Sequence, residues 1–339
     1  MESLQIIWFI LWSVLWIVYF ALDGFDLGSG ILMNFISQND DEKRAVINTV
    51  GPFWDGNEVW LITAGGATFA AFPKAYADMF SWFYIPLFMV LIGLILRGVS
   101  FEMRGKTESK KIWDVFIFVG SLLPVFLLGV AFGNIWSAVN ITEKGYTEGT
   151  LGLLNFNGIL TGFTFVVFVC MHGALWLYYK IEGEFKLRIY GVVRKTWYVS
   201  AFLFGIFILF IPHTLNPNFN LNSFSGYLTV VFYGLAAFMI ILIKKSIDKG
   251  RDYISFLKSF VFMIFWFAGG FASQYPNLIP SKNVEFNVSI FNSSSSFYTL
   301  KIMTIVALIF VPIVVAYQIW IYKILNHKIN PADKESLFY

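Results

Sequence analysis

The chain has 339 residues, of which 58% are hydrophobic and only 13% are charged, whereas charged residues make up about 25% of a soluble domain. This composition indicates a multi-pass α-helical membrane protein and excludes a soluble enzyme, a disordered chain and a disulfide-stapled scaffold. The net charge of +3 is too small to suggest a nucleic-acid partner. One cysteine cannot build an internal disulfide or an iron–sulfur cluster. Three histidines, at 172, 213 and 327, are too few for a site of several facing histidines.

Apolar segments predict an all-α polytopic fold in which about nine transmembrane helices form packed bundles within one integral membrane domain, residues 1–339. The predicted spans are residues 5–33, 52–72, 79–97, 112–136, 156–179, 196–213, 225–243, 259–275 and 299–322. The first span is too long for one straight crossing, so we expect it to tilt, bend or continue past the bilayer.

Basic residues give the orientation of these spans. All but four of the 24 lysines and arginines lie at or after the ends of odd-numbered spans, and the exceptions are Lys74, Lys144, Lys282 and Lys301. Because short basic segments stay in the cytoplasm, this bias places the N-terminus outside and the C-terminus inside. Dropping a middle span would scramble the alternation, which favours nine helices over an eight-helix count, the main alternative.

Acidic residues at membrane depth are the most informative feature. Asp23 and Asp26 lie in the inner half of the first span, and Asp55 and Glu58 lie in the first turns of the second. Each pair is three residues apart and therefore shares a helix face. Carboxylates retained within a membrane usually line a proton or ion path, or pair with a base. The sequence thus predicts four carboxylates at one depth on consecutive helices.

Two interpretations of these acids stay open. Arg97, Glu102 and Arg104 close the third span on the same side, so a structural ion-pair network is one of them. A proton path is the other, because four acids face only two nearby arginines. His172, in the fifth span, fits a hydrogen-bonded packing residue, a proton relay or an axial heme ligand.

The residues alone support a proton- or ion-handling membrane subunit. Neither a phosphate-binding Gly-x-x-x-x-Gly-Lys loop nor a His-Glu-x-x-His zinc motif occurs in the sequence. No metal site is therefore predicted. The alternative function is a proton- or ion-coupled secondary transporter that uses the same acids.

Five segments together resemble a known family. They are residues 20–28 (FALDGFDLG), 51–62 (GPFWDGNEVWLI), 64–73 (AGGATFAAFP), 97–104 (RGVSFEMR) and 129–134 (GVAFGN). With them the chain resembles subunit II of the cytochrome bd-type quinol oxidases over nearly its whole length. The run from Trp54 to Trp60, which includes Asn57, is the most specific of these motifs.

This resemblance implies a subunit of a complex in the prokaryotic plasma membrane that oxidises quinol and reduces oxygen to water in aerobic respiration. It implies a homologous, heme-bearing subunit I as partner, often joined by a small single-helix subunit. The b-type and d-type hemes would be ligated by subunit I and none by this chain. In some members of the family a quinone occupies a pocket in subunit II. The complex would take its chemical protons from the cytoplasm without pumping.

The resemblance also implies roles for single residues. Asp55 and Glu58 match a motif implicated in proton supply and in the subunit interface, and Trp60 belongs to the same motif. Some relatives have glutamine at the position of Glu58. Asp23 and Asp26 match the motif of the first helix, where a structural role is the alternative.

Overall fold

The structure is a computed structural model that describes residues 1–214, 219–333 and 337; the side chains of residues 211–214, His213 among them, lie outside the described part. The described chain is almost entirely helical. Its helices are α1 (Glu2–Ile36), α2 (Asp40–Val50), α3 (Trp54–Ala71), α4 (Pro73–Trp82), α5 (Tyr84–Met103), α6 (Lys110–Trp136), α7 (Gly149–Gly152), α8 (Phe156–Lys180), α9 (Glu184–Thr214), α10 (Phe224–Asp248), α11 (Asp252–Gln274), α12 (Ile290–Ser293) and α13 (Phe297–Ile324). Two short antiparallel hairpins complete it, formed by β1 (Ile141–Thr142) with β2 (Gly145–Tyr146) and by β3 (Asn277–Ile279) with β4 (Val288–Ser289).

The all-α polytopic architecture is confirmed. In the described part of the chain, 8 helices are long and apolar enough to cross a membrane, namely α1, α5, α6, α8, α9, α10, α11 and α13. Helix α3 coincides with the remaining predicted span, but its first turns carry Asp55, Asn57 and Glu58, which lower its hydropathy. The polar first turns of α3 therefore explain why hydropathy gives eight spanning helices while the sequence predicts nine.

Several helix bounds differ from the predicted spans. The predicted third span covers residues 79–97, whereas in the structure α4 ends at Trp82 and α5 runs from Tyr84 to Met103. The predicted sixth span covers residues 196–213, whereas α9 begins at Glu184. Apolar runs mark the part of a helix that lies in lipid, while the backbone hydrogen bonding continues through charged residues. Arg97 is consequently an interior residue of α5 and does not begin a loop.

Helix α1 lies at the centre of the bundle and packs against α3, α6, α8 and α11. It is continuous over 35 residues, about 52 Å at the helical rise, and so extends past a hydrocarbon core of about 30 Å. Gly28 allows its close contact with α8, since a Cβ there would lie 2.0 Å from the Val169 carbonyl oxygen. This contact fixes the rotation of the turns of α1 that carry Asp23 and Asp26.

Helices α5 and α6 also meet through a glycine. A Cβ on Gly120 would lie 2.5 Å from the Gly93 carbonyl oxygen and 2.8 Å from the Arg97 backbone nitrogen. Small residues at such crossings let two membrane helices approach closely. The crossing holds the backbone of Arg97 against α6, while its side chain reaches towards α1 and α3.

Candidate functional site

Arg97 joins carboxylates from two other helices. Its Nη2 lies 2.7 Å from Asp23 Oδ1 on α1 and 3.2 Å from Glu58 Oε2 on α3. Arg97 and Asp23 are completely buried, whereas the Glu58 side chain keeps 19% of its surface exposed. A buried ion pair persists only where geometry and further hydrogen bonds offset the desolvation of both charges. Glu58 is thus the member of this group that is accessible from the surface of the chain.

Asp26, one turn beyond Asp23, is hydrogen-bonded to the side-chain amide of Asn57. Its Oδ2 accepts a hydrogen bond of 2.6 Å from Asn57 Nδ2. Asn57 Oδ1 accepts in turn from Gln318 Nε2 at 3.1 Å and from the Tyr322 hydroxyl at 2.9 Å. Trp60 Nε1 donates to Gln318 Oε1 at 2.9 Å. This chain of hydrogen bonds connects α1 and α3 to α13, the last helix in the described part of the chain.

We call Asp23, Asp26, Glu58 and Arg97 the acid centre. The acid centre contains three carboxyl groups and one guanidinium group, and several of its buried polar atoms have no hydrogen-bond partner among the described residues. They are Asp23 Oδ2, Asp26 Oδ1, Arg97 Nε and Arg97 Nη1. Buried polar atoms of this kind are generally satisfied by internal water. The acid centre therefore has buried hydrogen-bonding groups that internal water can satisfy.

Asp55 lies apart from these three acids. It is exposed in the isolated chain, in the first turn of α3. Its face of the helix continues with the exposed apolar residues Val59, Ile62 and Phe69. A carboxylate on a lipid-facing stripe would be costly. The placement therefore fits a surface of α3 that another polypeptide covers.

Arg104 and Glu102 do not join the acid centre. Arg104 Nε pairs with Asp114 Oδ1 at 2.6 Å and its Nη2 pairs with Asp40 Oδ1 at 2.7 Å. Glu102 is exposed, with Lys106 Nζ at 3.8 Å. Only one of the two predicted arginines thus balances the intramembrane acids. The other fastens the amphipathic helix α2 to α6.

Asp40, in the first turn of α2, carries two of these contacts. Lys110 Nζ also binds it, at 2.6 Å from Oδ2. Partial burial raises the pKa of Asp40, but the hydrogen bonds from Lys110 and Arg104 outweigh that effect and lower its pKa below the ordinary value. Asp40 is therefore ionised wherever the protein is folded near neutral pH.

His172 is buried against α1 and α11. Its Nδ1 lies 2.7 Å from Ser259 Oγ and its Nε2 lies 3.0 Å from the Ala21 carbonyl oxygen. The imidazole ring stacks on Phe256 with ring centroids 5.0 Å apart. Both ring nitrogens are engaged, which fits the packing interpretation and does not fit an axial ligand to heme iron. Among the described residues, no group of three or more His, Cys, Asp or Glu side chains could hold a metal ion.

Sequence reasoning missed four residues of these networks. Asp114 lies within a predicted span and could have been recognised as another intramembrane acid. Gln318 and Tyr322 lie at the polar end of the last span, but their link to Asn57 depends on how three helices are rotated. Asp40 lies in a loop-like acidic run, Asp40–Glu42, which gave no sign of its ion pairs.

Comparison with known proteins gives a consistent result. The sequence profile described as cytochrome bd terminal oxidase subunit II matches residues 4–325. The chain is similar to the cytochrome bd ubiquinol oxidase subunit 2 of Bacillus subtilis (strain 168), at 34% identity over 100% of both chains. It is also similar to the cytochrome bd-I ubiquinol oxidase subunit 2 of Escherichia coli (strain K12), at 33% identity over 98% of this chain and 97% of that one.

A solved structure has the same fold. A chain in the structure of bd oxidase from Geobacillus thermodenitrificans superposes with a TM-score of 0.78, covering 96% of this chain and 99% of that chain. The sequence identity of this pair is 13%, so the likeness concerns the fold alone.

Proposed function

The chain belongs to the family of cytochrome bd terminal oxidase subunits II, and we propose that it supplies protons to a heme-bearing partner subunit and holds that subunit in place. It is a multi-pass membrane subunit of an oxidoreductase complex that oxidises quinol and reduces oxygen. Family membership favours this function over a proton- or ion-coupled secondary transporter. The distribution of basic residues supports a plasma-membrane orientation with the N-terminus outside and the C-terminus in the cytoplasm.

The hemes of the complex are proposed to be ligated by the partner. An axial histidine needs a free ring nitrogen, and His172 has none, since it contacts Ser259 and Ala21. When bound, the hemes supply electron transfer and oxygen reduction. The residues of this chain would then supply proton transfer and packing.

The partner is proposed to cover the exposed face of α3 and α5. That face carries Asp55 at one end, and between the two helices it forms an apolar groove of about 580 Å³. Gly65 and Gly66 line the groove, and small residues there would let a helix of the partner approach the α3 backbone closely. Covering this face removes Asp55 from lipid contact and places it at the subunit interface.

Protons are proposed to pass from Asp55 to Glu58 and on to the partner. Asp55 lies at the start of α3, the predicted cytoplasmic end, and Glu58 lies one turn deeper on the same helix. The observation that carries the proposal is the partly buried Glu58, which keeps 19% of its side chain exposed and reaches the fully buried Arg97. Water between the two acids would complete the route.

Asp23 is proposed to set the charge that Glu58 experiences, and Asp26 is proposed to set the position of α3. Asp23 shares Arg97 with Glu58, so the positive charge that Glu58 experiences depends on Asp23. Asp26 fixes Asn57 through a hydrogen bond and thereby the register of α3 against α1. These two acids hold the proton-transferring face of α3 in place.

The substitution Asp55→Asn tests the proton route in the assembled complex. Oxygen reduction should slow by about tenfold, since water replaces a positioned proton-transfer group only in part. The heme content and the recovery of both subunits should match those of the native complex, because Asp55 is exposed and forms no ion pair with the residues that the structure describes. Full turnover of the variant would refute a role for Asp55 in proton delivery.

A further inference from the structure

A second cavity lies away from the proposed proton route. It has a volume of about 490 Å³ and lies between α1, α8, α11 and α13. Most of its lining is aliphatic or aromatic, including Leu22, Phe260, Val315 and Ile319. Two basic residues, Lys180 and Lys323, line its other end, at the predicted cytoplasmic ends of α8 and α13.

Lys180 is a buried cation without a carboxylate partner. Only 2% of its surface is exposed, and no described acid forms an ion pair with it. Its Nζ donates one hydrogen bond of 3.0 Å to the Leu325 carbonyl oxygen and lies 5.4 Å from the Trp176 ring and 5.9 Å from the Phe53 ring. An ammonium group has three N–H donors, and a buried charge needs an opposite charge nearby. The charge of Lys180 therefore has no counterion among the described residues, and a bound anion would supply one.

The lining of the cavity favours an amphiphilic ligand. Lys323 adds a second positive charge at the same end, and the described lining residues include no aspartate or glutamate. We propose that the cavity binds an anionic phospholipid of the inner leaflet. Its phosphate would lie between Lys180 and Lys323, and an acyl chain would follow Val315 and Ile319 along α13. Basic pockets between membrane helices bind lipid headgroups in this way.

The bound lipid would support α13. This helix has a single buried residue, Leu300, among those described, yet Gln318 and Tyr322 on it hold Asn57 in place. Both side chains also line the cavity. A lipid seated there would fill the gap behind α13 and keep both hydrogen bonds to Asn57. The binding itself does not depend on the proposed proton route.

The test measures lipid retention by the purified complex. The complex is exchanged into vesicles of equal parts phosphatidylglycerol and phosphatidylcholine with identical acyl chains, then extracted, and its retained lipids are counted by native mass spectrometry. The native complex should retain phosphatidylglycerol preferentially. Lys180→Gln should lower that preference about tenfold, the effect of losing one charge-assisted hydrogen bond. Lys180→Arg should keep it, and Lys245→Gln, which removes an exposed lysine of α10 outside the cavity, should leave it unchanged.

A second variant covers the case in which Lys180→Gln fails to assemble. Ile319→Trp fills the apolar part of the cavity and leaves both lysines intact, so it should also reduce the retained phosphatidylglycerol. Equal retention of the two lipids by the native complex would overturn the proposal. The proposal would also be overturned if the complex retained a neutral ligand, such as a quinone, in an amount that does not depend on the residue at position 180. Normal oxygen reduction in a lipid-free complex would not count against the binding site. It would refute only the proposal that the bound lipid supports Asn57.

Discussion

At the scale of single residues, Arg97 sets the charge balance of the acid centre. It is fully buried and has two carboxylate partners, Asp23 and Glu58. Losing either partner leaves the buried guanidinium group with only one of its two paired carboxylates. Because Asp23 is the closer and the more deeply buried of the two, it contributes most to holding Arg97.

Asp23→Asn should destabilise the folded chain by about 3 kcal/mol, the usual cost of breaking a buried ion pair from one side. The expected result is a lower melting temperature and a poor yield of the assembled complex, measured by fluorescence-detected gel filtration after heating. Glu102→Gln provides the control, since it removes only an exposed pair with Lys106, worth less than about 1 kcal/mol. Equal stability of the two variants would show that Arg97 does not depend on Asp23.

His172→Ala should leave the heme spectrum of the complex unchanged. The imidazole bonds to Ser259 and to the Ala21 carbonyl, so its loss should cost about 2 kcal/mol of stability through an unfilled cavity and an unpaired hydroxyl. Absorption spectra of the purified complex measure the first effect and thermal melting the second. A missing heme band would identify His172 as an axial ligand after all.

At the scale of elements, α3 separates two environments. One face carries Asn57, Trp60 and Thr68, which are buried in the bundle, while the opposite face is exposed. A lipid-facing helix and a partner-facing helix are both apolar outside, so hydropathy cannot distinguish them. The exposed Asp55 on that face supports the proposed contact with a partner.

Two glycines offer a matched test of this surface. Gly66 on α3 and Gly234 on α10 are both exposed, and a Cβ on either would meet nothing within 4 Å. Gly66→Trp should therefore fold but block the partner, whereas Gly234→Trp should assemble normally. Co-purification of the partner subunit with each variant measures this. Assembly of both variants would place the interface elsewhere.

The attachment of α2 should depend on pH. Hydrogen bonds from Lys110 and Arg104 lower the pKa of Asp40 in the folded state. Its stabilising contribution is therefore present above the unfolded pKa of about 3.9 and is lost as the pH falls through the lower folded value. The melting temperature of Asp40→Asn should lie below that of the native protein at pH 7 and converge with it in strong acid. A difference that does not change with pH would contradict this.

At the scale of the whole molecule, the sequence predicts the helices well and their rotation poorly. Apolar runs and basic residues are enough to predict the helices, and the acids stand out because charge is rare in lipid. The partners of those acids could not be predicted, because lipid and protein interior are equally apolar and no polar stripe shows which way a helix faces. The pairing of Arg97 with Asp23 and the link from Asn57 to Gln318 both depend on that rotation.

The same limit applies to the charge count. Two arginines, Arg97 and Arg104, were expected beside four acids. The structure gives the acid centre one arginine and three carboxyl groups, with Asp55 on the exposed face of α3 and Arg104 paired with Asp40 and Asp114. This surplus of acid supports the proposed proton exchange over a purely structural ion-pair network.

The most direct test of the account is proton uptake by the complex in oriented proteoliposomes during a single turnover with oxygen. A pH indicator on the cytoplasmic side should report slow uptake in Asp55→Asn and native uptake in Glu108→Gln, which removes an exposed acid of the same side. Electron transfer to the hemes should begin at the native rate in both variants. Native proton uptake in Asp55→Asn would contradict the claim that this chain delivers protons to its partner.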